Sequence, residues 1–182
     1  MVCCLKALLL PHRLDRRSAA RGRGGLMSQV SDPAVIVQSM APGHEVTWSA
    51  AVRLFRNREP TDPAGFLADD RTIAKLAVAP GGATCGWIWG YLHRHVVGHW
   101  QAQIYDIGVI PSYRRHGLGS LLLAAFKADA TSLGAQRMWL FTDEANEAAK
   151  ALYEKAGGKP SPHDDATYWW QLDDPGSHQS ET

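Results

Sequence analysis

The segment Arg114-Arg115-His116-Gly117-Leu118-Gly119-Ser120 has the residue types and spacing that grip a phosphate. An apolar run leads straight into it and a helical pattern leads out. Two glycines let the backbone approach a ligand closely, and the free amides of the following helix's first turn, with the helix dipole, favour a pyrophosphate. The spacing Arg-x-x-Gly-x-Gly is not the dinucleotide fingerprint, because Leu122 stands where a third glycine is needed. It is not a P-loop either, since no Gly-Lys-Ser/Thr follows. Just upstream, Asp106 interrupts a strand that otherwise reads as core, and a buried carboxylate needs a partner or a task. Either a nearby arginine or loop amide satisfies it, or it binds a cationic amine and accepts its proton, directly or through water.

A second pattern follows at Asn146, Ala149, Leu152, Tyr153 and Gly157, the spacing Asn-x-x-Ala-x-x-Leu-Tyr-x-x-x-Gly on one helix. Tyr153 lies seven residues after Asn146, about two helical turns, so both can face one groove. With the first motif this order of residues resembles the GNAT superfamily of N-acetyltransferases. The match runs from about residue 34 to 172, and its specific motifs lie within residues 104–157. The resemblance implies an α/β fold: a mixed, mostly antiparallel central sheet flanked by helices and splayed between strands four and five. It implies acetyl-CoA as co-substrate, with no metal. Ile107 and Val109 would bond the pantetheine amides, Gly108 would sit at a bulge, and Arg114, Arg115, His116, Gly117, Leu118, Gly119 and Ser120 would form the pyrophosphate turn. Asn146 would bond the CoA arm, and Tyr153 would protonate the leaving thiolate, which a phenol near pKa 10 can do without being ionised at rest. Read from the residues alone, Asn146 serves equally as a helix cap, Tyr153 as a packing side chain and Gly108 as relief of crowding.

Tyr105-Asp106 together with the upstream helix Val46 to Arg56 is similar, more loosely, to the bacterial aminoglycoside 3-N-acetyltransferase branch. That likeness implies a small cationic amine as acceptor, with the 3-amino group of a gentamicin-like compound acetylated by direct attack in a ternary complex. Asp143, Glu144, Asp164 and Asp165 would then hold the cation, although acid clusters also serve as solvated loop faces. The chain departs from that branch at Asn146 and in its tryptophans, Trp87, Trp89, Trp100, Trp139, Trp169 and Trp170. Other acceptors stay open: a protein amino terminus, a polyamine or an amino-acid derivative. A non-catalytic acyl-CoA-binding regulatory module is the alternative of a different class.

These residues need elements to position them. Ala34 to Gln38 reads as a first strand, and Glu45 to Phe55 as a helix with Val46, Ala50 or Ala51, and Leu54 on its apolar stripe. Pro60 and Pro63 break the pattern before a short helix from Pro63 to Leu67. Ile73 to Val78 and Cys85 to Leu92 flank the hairpin turn Pro80-Gly81-Gly82. Tyr105 to Ile110 is the fourth strand, and Leu118, Leu121, Leu122, Ala125, Phe126 and Leu133 give the next helix one apolar face that ends at Gly134. Met138 to Thr142, the helix Ala145 to Ala156 and a last strand at Thr167 to Leu172 complete the order. His93, His95 and His99 lack a carboxylate or cysteine at ligand spacing and read as a hairpin loop, and Cys85 reads as a small buried residue.

Composition bounds the rest. A chain of 182 residues, 45% hydrophobic, can bury one full core, and no segment approaches the roughly 18 apolar residues of a membrane span. Residues 1–26 carry six basic side chains against Asp15, a balance of +5, which leaves the remainder at −4. An acidic body attracts cationic small molecules and disfavours nucleic acid. We therefore expect a disordered basic leader over residues 1–30, or a start at Met27, then one domain over 31–174 and a disordered tail over 175–182. Three cysteines, two of them adjacent in the leader, form no disulfide framework and point to a reduced cytoplasm. A homodimer stays open.

Overall fold

Thr72–Val78 (β2) and Thr84–Arg94 (β3) are joined by a turn in which Gly81 and Gly82 both take left-handed φ, 88° and 87°, a conformation that glycine adopts without steric cost. Around that hairpin the computed structural model, which describes residues 35–161, builds a five-stranded sheet in the order β1-β2-β3-β4-β5. The other strands are β1 (Ile36–Ser39), β4 (Trp100–Val109) and β5 (Ala135–Trp139). Every pairing is antiparallel except the last, in which β5 runs parallel to β4. The helices are α1 (Glu45–Arg56), α2 (Pro63–Ala68), α3 (Leu118–Ser132) and α4 (Glu147–Lys155). The mixed α/β sheet flanked by helices is as expected. The leader, the tail, the strand at Thr167 to Leu172 and the acids Asp164 and Asp165 lie outside the described residues.

Two cores lie on opposite faces of the sheet. On one, α3 buries Leu118, Leu122, Leu123, Phe126 and Ala130 against Ile73, Ile88, Ile104 and Ile107, with Leu152 and Tyr153 of α4 packed at the margin. Lys75 of β2 is buried on this face, ion-paired with Asp129 of α3 at 2.6 Å and hydrogen-bonded to Ser39 of β1 at 2.9 Å. On the other face, α1 and α2 bring Trp48, Ala51 and Leu67 onto Leu76 and Trp87.

Several boundaries and stripes differ from expectation. α1 buries Trp48 and Ala51 and leaves Val46 and Leu54 exposed at 83% and 52%, because the stripe Trp48, Ala51, Val52, Phe55 carries far more ring area to the sheet. In α3 the stripe is narrower than it reads, with Leu121 and Leu133 about half exposed. β4 begins at Trp100 rather than Tyr105: Gln101 and Gln103 interrupt the apolar pattern, yet both pair in register with His93 and Tyr91 of β3. β5 begins directly after Gly134, whose φ is 88°, and ends at Trp139, so it sits three residues earlier than the apolar run Met138 to Thr142 suggests.

Candidate active site

The gap that a thioester arm requires is set by strand pairing. β5 pairs with β4 only from Trp100↔Ala135 to Gln103↔Trp139, while β4 continues to Val109 against β3 alone. From Ile104 onward β4 therefore has a neighbour on one side, among the described residues, and the sheet is splayed between strands four and five. Ile107 and Val109 lie along this stretch with their side chains in the α3 core, and because the Ile110 amide donates to the Cys85 carbonyl at 3.0 Å, strand alternation turns the amides of Val109 and Ile107 away from β3 toward the gap.

The gap ends at the glycine turn. Gly117 is the N-cap residue of α3 with φ 80°, and Arg115 is also left-handed with φ 68°, an uncommon conformation for a residue with a Cβ. Among the described residues no side chain caps this helix start, so the first-turn amides after Gly117 are left for another acceptor. The Arg114 Nε donates to the Val109 carbonyl at 3.0 Å, fastening the turn to the end of β4. Leu118 is in the core, so only its backbone can serve a ligand, while Arg115, His116 and Gly117 are exposed and Ser120 is half-buried. A Cβ on Gly119 would lie 3.1 Å from Leu152 Cδ2, so this glycine lets α4 close on the turn. The two sequence motifs are thus in contact.

On α4, Asn146 is the N-cap, its Oδ1 accepting from the Ala149 amide at 3.1 Å, and Tyr153 is half-buried at the edge of the α3 core. Asp143 accepts from the Ala145 amide at 2.9 Å, and Glu144 pairs with Lys150 at 3.0 Å. Both acids are exposed and engaged in the structure of their own loop. Hydrogen bonds donated by Lys150 to Glu147 and Glu144 raise its pKa.

The strand-four bulge expected at Gly108 lies instead at Tyr105, beside Asp106. Trp89 is opposite Asp106 and Gly90 is opposite Ile104, so Tyr105 is the extra residue. Gly90 is the missed signal: a Cβ there would overlap the Gln103 carbonyl. Gly108 is not the bulge residue. It relieves crowding, since a Cβ there would lie 3.0 Å from both Phe55 and Trp87. The bulge puts Tyr105 and Asp106 together on the α1 and α2 face, where Asp106, 5% exposed, takes Arg56 Nη2 at 2.7 Å.

That face carries an aromatic wall that sequence reasoning treated only as a departure from a relative. Trp89 stacks on Tyr105 at 4.5 Å, Trp48 on Phe66 at 5.1 Å and Phe55 on Trp87 at 5.0 Å. A cavity of about 240 Å³ opens among these rings, between α1, the loop before α2 and β3. Burial, with smaller effects from Tyr105 and Asp69, pushes the Tyr91 phenol pKa up, so Tyr91 presents a neutral hydroxyl. The indole N–H of Trp89 is buried without a hydrogen-bond partner among the described residues. The signal for this wall was in the sequence, as Trp87, Trp89 and Tyr91 alternate along one strand face.

The histidines behave as a hairpin: His95 stacks on His99 at 4.6 Å, and His93 packs edge-on against Trp139. Burial, then His95 and Arg137, push the His99 pKa down. Among the described residues no three His, Cys, Asp or Glu side chains are placed to hold a metal. No described helix is long and apolar enough to cross a membrane.

Comparison with known proteins agrees with this geometry. The family model described as "Acetyltransferase (GNAT) family" matches residues 43–158. The mycothiol acetyltransferase of Salinispora tropica is 38% identical over 112 residues, covering 60% of this chain and 34% of that protein. The corresponding protein of Thermobispora bispora is 34% identical over 114 residues, covering 61% and 36%. The chain spans about a third of the length of these curated relatives. Among solved structures, an aminoglycoside acetyltransferase from an uncultured soil metagenomic sample superposes with TM-score 0.66 at 19% identity, covering 78% of this chain and 99% of that one. The ribosomal-protein-alanine N-acetyltransferase of Brucella melitensis gives TM-score 0.62 at 18% identity, covering 76% and 100%. At such identities the structures share the fold alone, and they do not select the 3-N-acetyltransferase branch.

Proposed function

The chain belongs to the acetyltransferase (GNAT) family, and from that premise we propose that it transfers an acetyl group from acetyl-CoA to the primary amine of a small molecule. The observation that carries this reading is the gap beside β4, open from Ile104 to Val109 and closed at one end by the left-handed turn at Arg115 and Gly117. Acetyl-CoA supplies the acetyl thioester when bound. The turn amides take its pyrophosphate, and the backbone of Ile107, Gly108 and Val109 meets the pantetheine arm, with Arg114 holding strand and turn in register. The acceptor's nitrogen forms a bond to the carbonyl carbon as the carbon–sulfur bond breaks; the nitrogen loses a proton and the thiolate gains one. Asp106, at the bulge, is the group we assign to the first proton, directly or through water, and Tyr153 to the second. The ion pair with Arg56 supplies the partner that a buried carboxylate requires and fixes its orientation.

The acceptor is open to a finer reading. Solved neighbours named as aminoglycoside acetyltransferases, one of them an AAC(6′) enzyme bound to a bisubstrate analogue, support an aminoglycoside, and Tyr105-Asp106 is the feature behind the 3-amino position. The mycothiol acetyltransferases support a different small-molecule acceptor. A screen of amines with acetyl-CoA, read by thiol release and by product mass, tests the proposal. An acetylated amine is the expected result, and tight CoA binding with every amine silent would replace the enzyme by an acyl-CoA-binding module.

A further inference from the structure

The cavity on the α1 and α2 face differs from a seat for a polycation. Its lining is aromatic and apolar: Trp48, Phe66, Trp87, Trp89 and Tyr91, with Pro60 of the loop before α2 and Pro63 of its first turn. Among the described residues its lining has one carboxylate, Asp62, and one guanidinium, Arg56. Asp62 Oδ1 is engaged with the Gly65 amide at 2.8 Å as the cap of α2, and Arg56 is on Asp106. Among the described residues, a ligand with several ammonium groups would meet mostly rings here, with one carboxylate in the lining to answer them.

The rings meet at steep angles, which sets the shape of the ligand. Phe66 and Trp89 stand at 81°, Trp89 and Tyr91 at 87°, and Trp87 and Trp89 at 65°. Such a corner offers a flat guest one ring face and one ring edge together, the two arrangements that aromatic pairs prefer. A cavity of about 240 Å³ takes a single ring system with a short chain. Trp89 of the lining stacks on Tyr105 and pairs with Asp106, and Arg56 of the lining is ion-paired with Asp106, so the cavity adjoins the residues of β4 at the bulge.

We propose that this cavity seats the acceptor and selects an aralkylamine, one amine carried on an aromatic ring by a short chain. This rests on the acetyl-transfer reading and narrows it, in competition with an aminoglycoside. The step is the one already written: the nitrogen–carbon bond forms, the carbon–sulfur bond breaks, Asp106 takes the nitrogen's proton and Tyr153 gives one to the thiolate.

The test uses the full chain with 2-phenylethylamine, tryptamine, spermidine, gentamicin and glucosamine, measured both for thiol release with acetyl-CoA and for calorimetric binding in the presence of CoA. The expected result is that 2-phenylethylamine and tryptamine exceed the others at least tenfold in kcat/KM and in affinity. Phe66→Ala is expected to raise KM for tryptamine about tenfold with little change in kcat, and Phe66→Leu, which keeps the helix packed, about threefold. Faster turnover of spermidine or gentamicin, or variants that leave the tryptamine KM unchanged, would overturn the assignment. Binding of the aralkylamines without turnover would uphold the cavity and overturn the transfer reading, whereas turnover of glucosamine or gentamicin alone would uphold transfer and overturn the cavity.

Discussion

Asp106 joins two tasks in one side chain. It is buried, it anchors Arg56 of α1 at 2.7 Å, and the bulge at Tyr105 turns it toward the aromatic wall. If it accepts the amine's proton, Asp106→Asn should cut kcat about 10²- to 10⁴-fold while acetyl-CoA affinity is kept. Arg56→Met removes the ion-pair partner but not the base, and is expected to cost far less in kcat. Equal losses in the two variants, paralleled by equal falls in Tm, would reduce Asp106 to a structural ion pair. Tyr153→Phe should lower kcat less than Asp106→Asn. At the turn, Gly117→Asp places a negative charge and a Cβ where a pyrophosphate is to be held at φ 80°, and calorimetry should show acetyl-CoA binding lost. Unchanged affinity in that variant would contradict the location of the cofactor.

At the scale of elements, the bulge and the buried lysine make separable predictions. Gly90→Ala would drive a Cβ into the Gln103 carbonyl, and urea unfolding should show a loss of about 1–3 kcal/mol with the acetyl-transfer rate falling as Asp106 is displaced. Leu122, fully buried between α3 and the sheet, should cost about 2–5 kcal/mol when cut to alanine. Lys75→Met should cost less than Leu122→Ala, because Asp129 is left 39% exposed and the methylene stem of the lysine is replaced by apolar atoms. Much of this was legible in advance. The glycine turn, α3, α4 and the hairpin at Gly81 and Gly82 carry their own local signals, since φ > 0 and helical periodicity are properties of short segments. The α1 stripe, the early start of β4 and the bulge at Tyr105 were not, because each is decided across strands: Trp48 faces the sheet only because Trp87 and Phe66 are there to receive it, and Gly90 marks a bulge only once Gln103 is placed opposite.

At the scale of the whole molecule, one sheet separates two duties. The α3 face holds the packed core and the turn, and the α1 and α2 face holds the aromatic wall, with β4 running between them. A ligand that binds only the folded chain stabilises it, by about 2.7 kcal/mol at a hundredfold excess over Kd, so acetyl-CoA should raise Tm by several degrees and Gly117→Asp should abolish the rise. The most direct test of the central claim follows acetyl transfer itself: incubation of the full chain with acetyl-CoA and a primary amine, with thiol release and N-acetylated product quantified together. One equivalent of free thiol for each acetylated amine, lost together in Gly117→Asp, is the result this structure leads us to expect. Acetyl-CoA bound tightly by the wild-type chain with no acetylated product from any amine would contradict it.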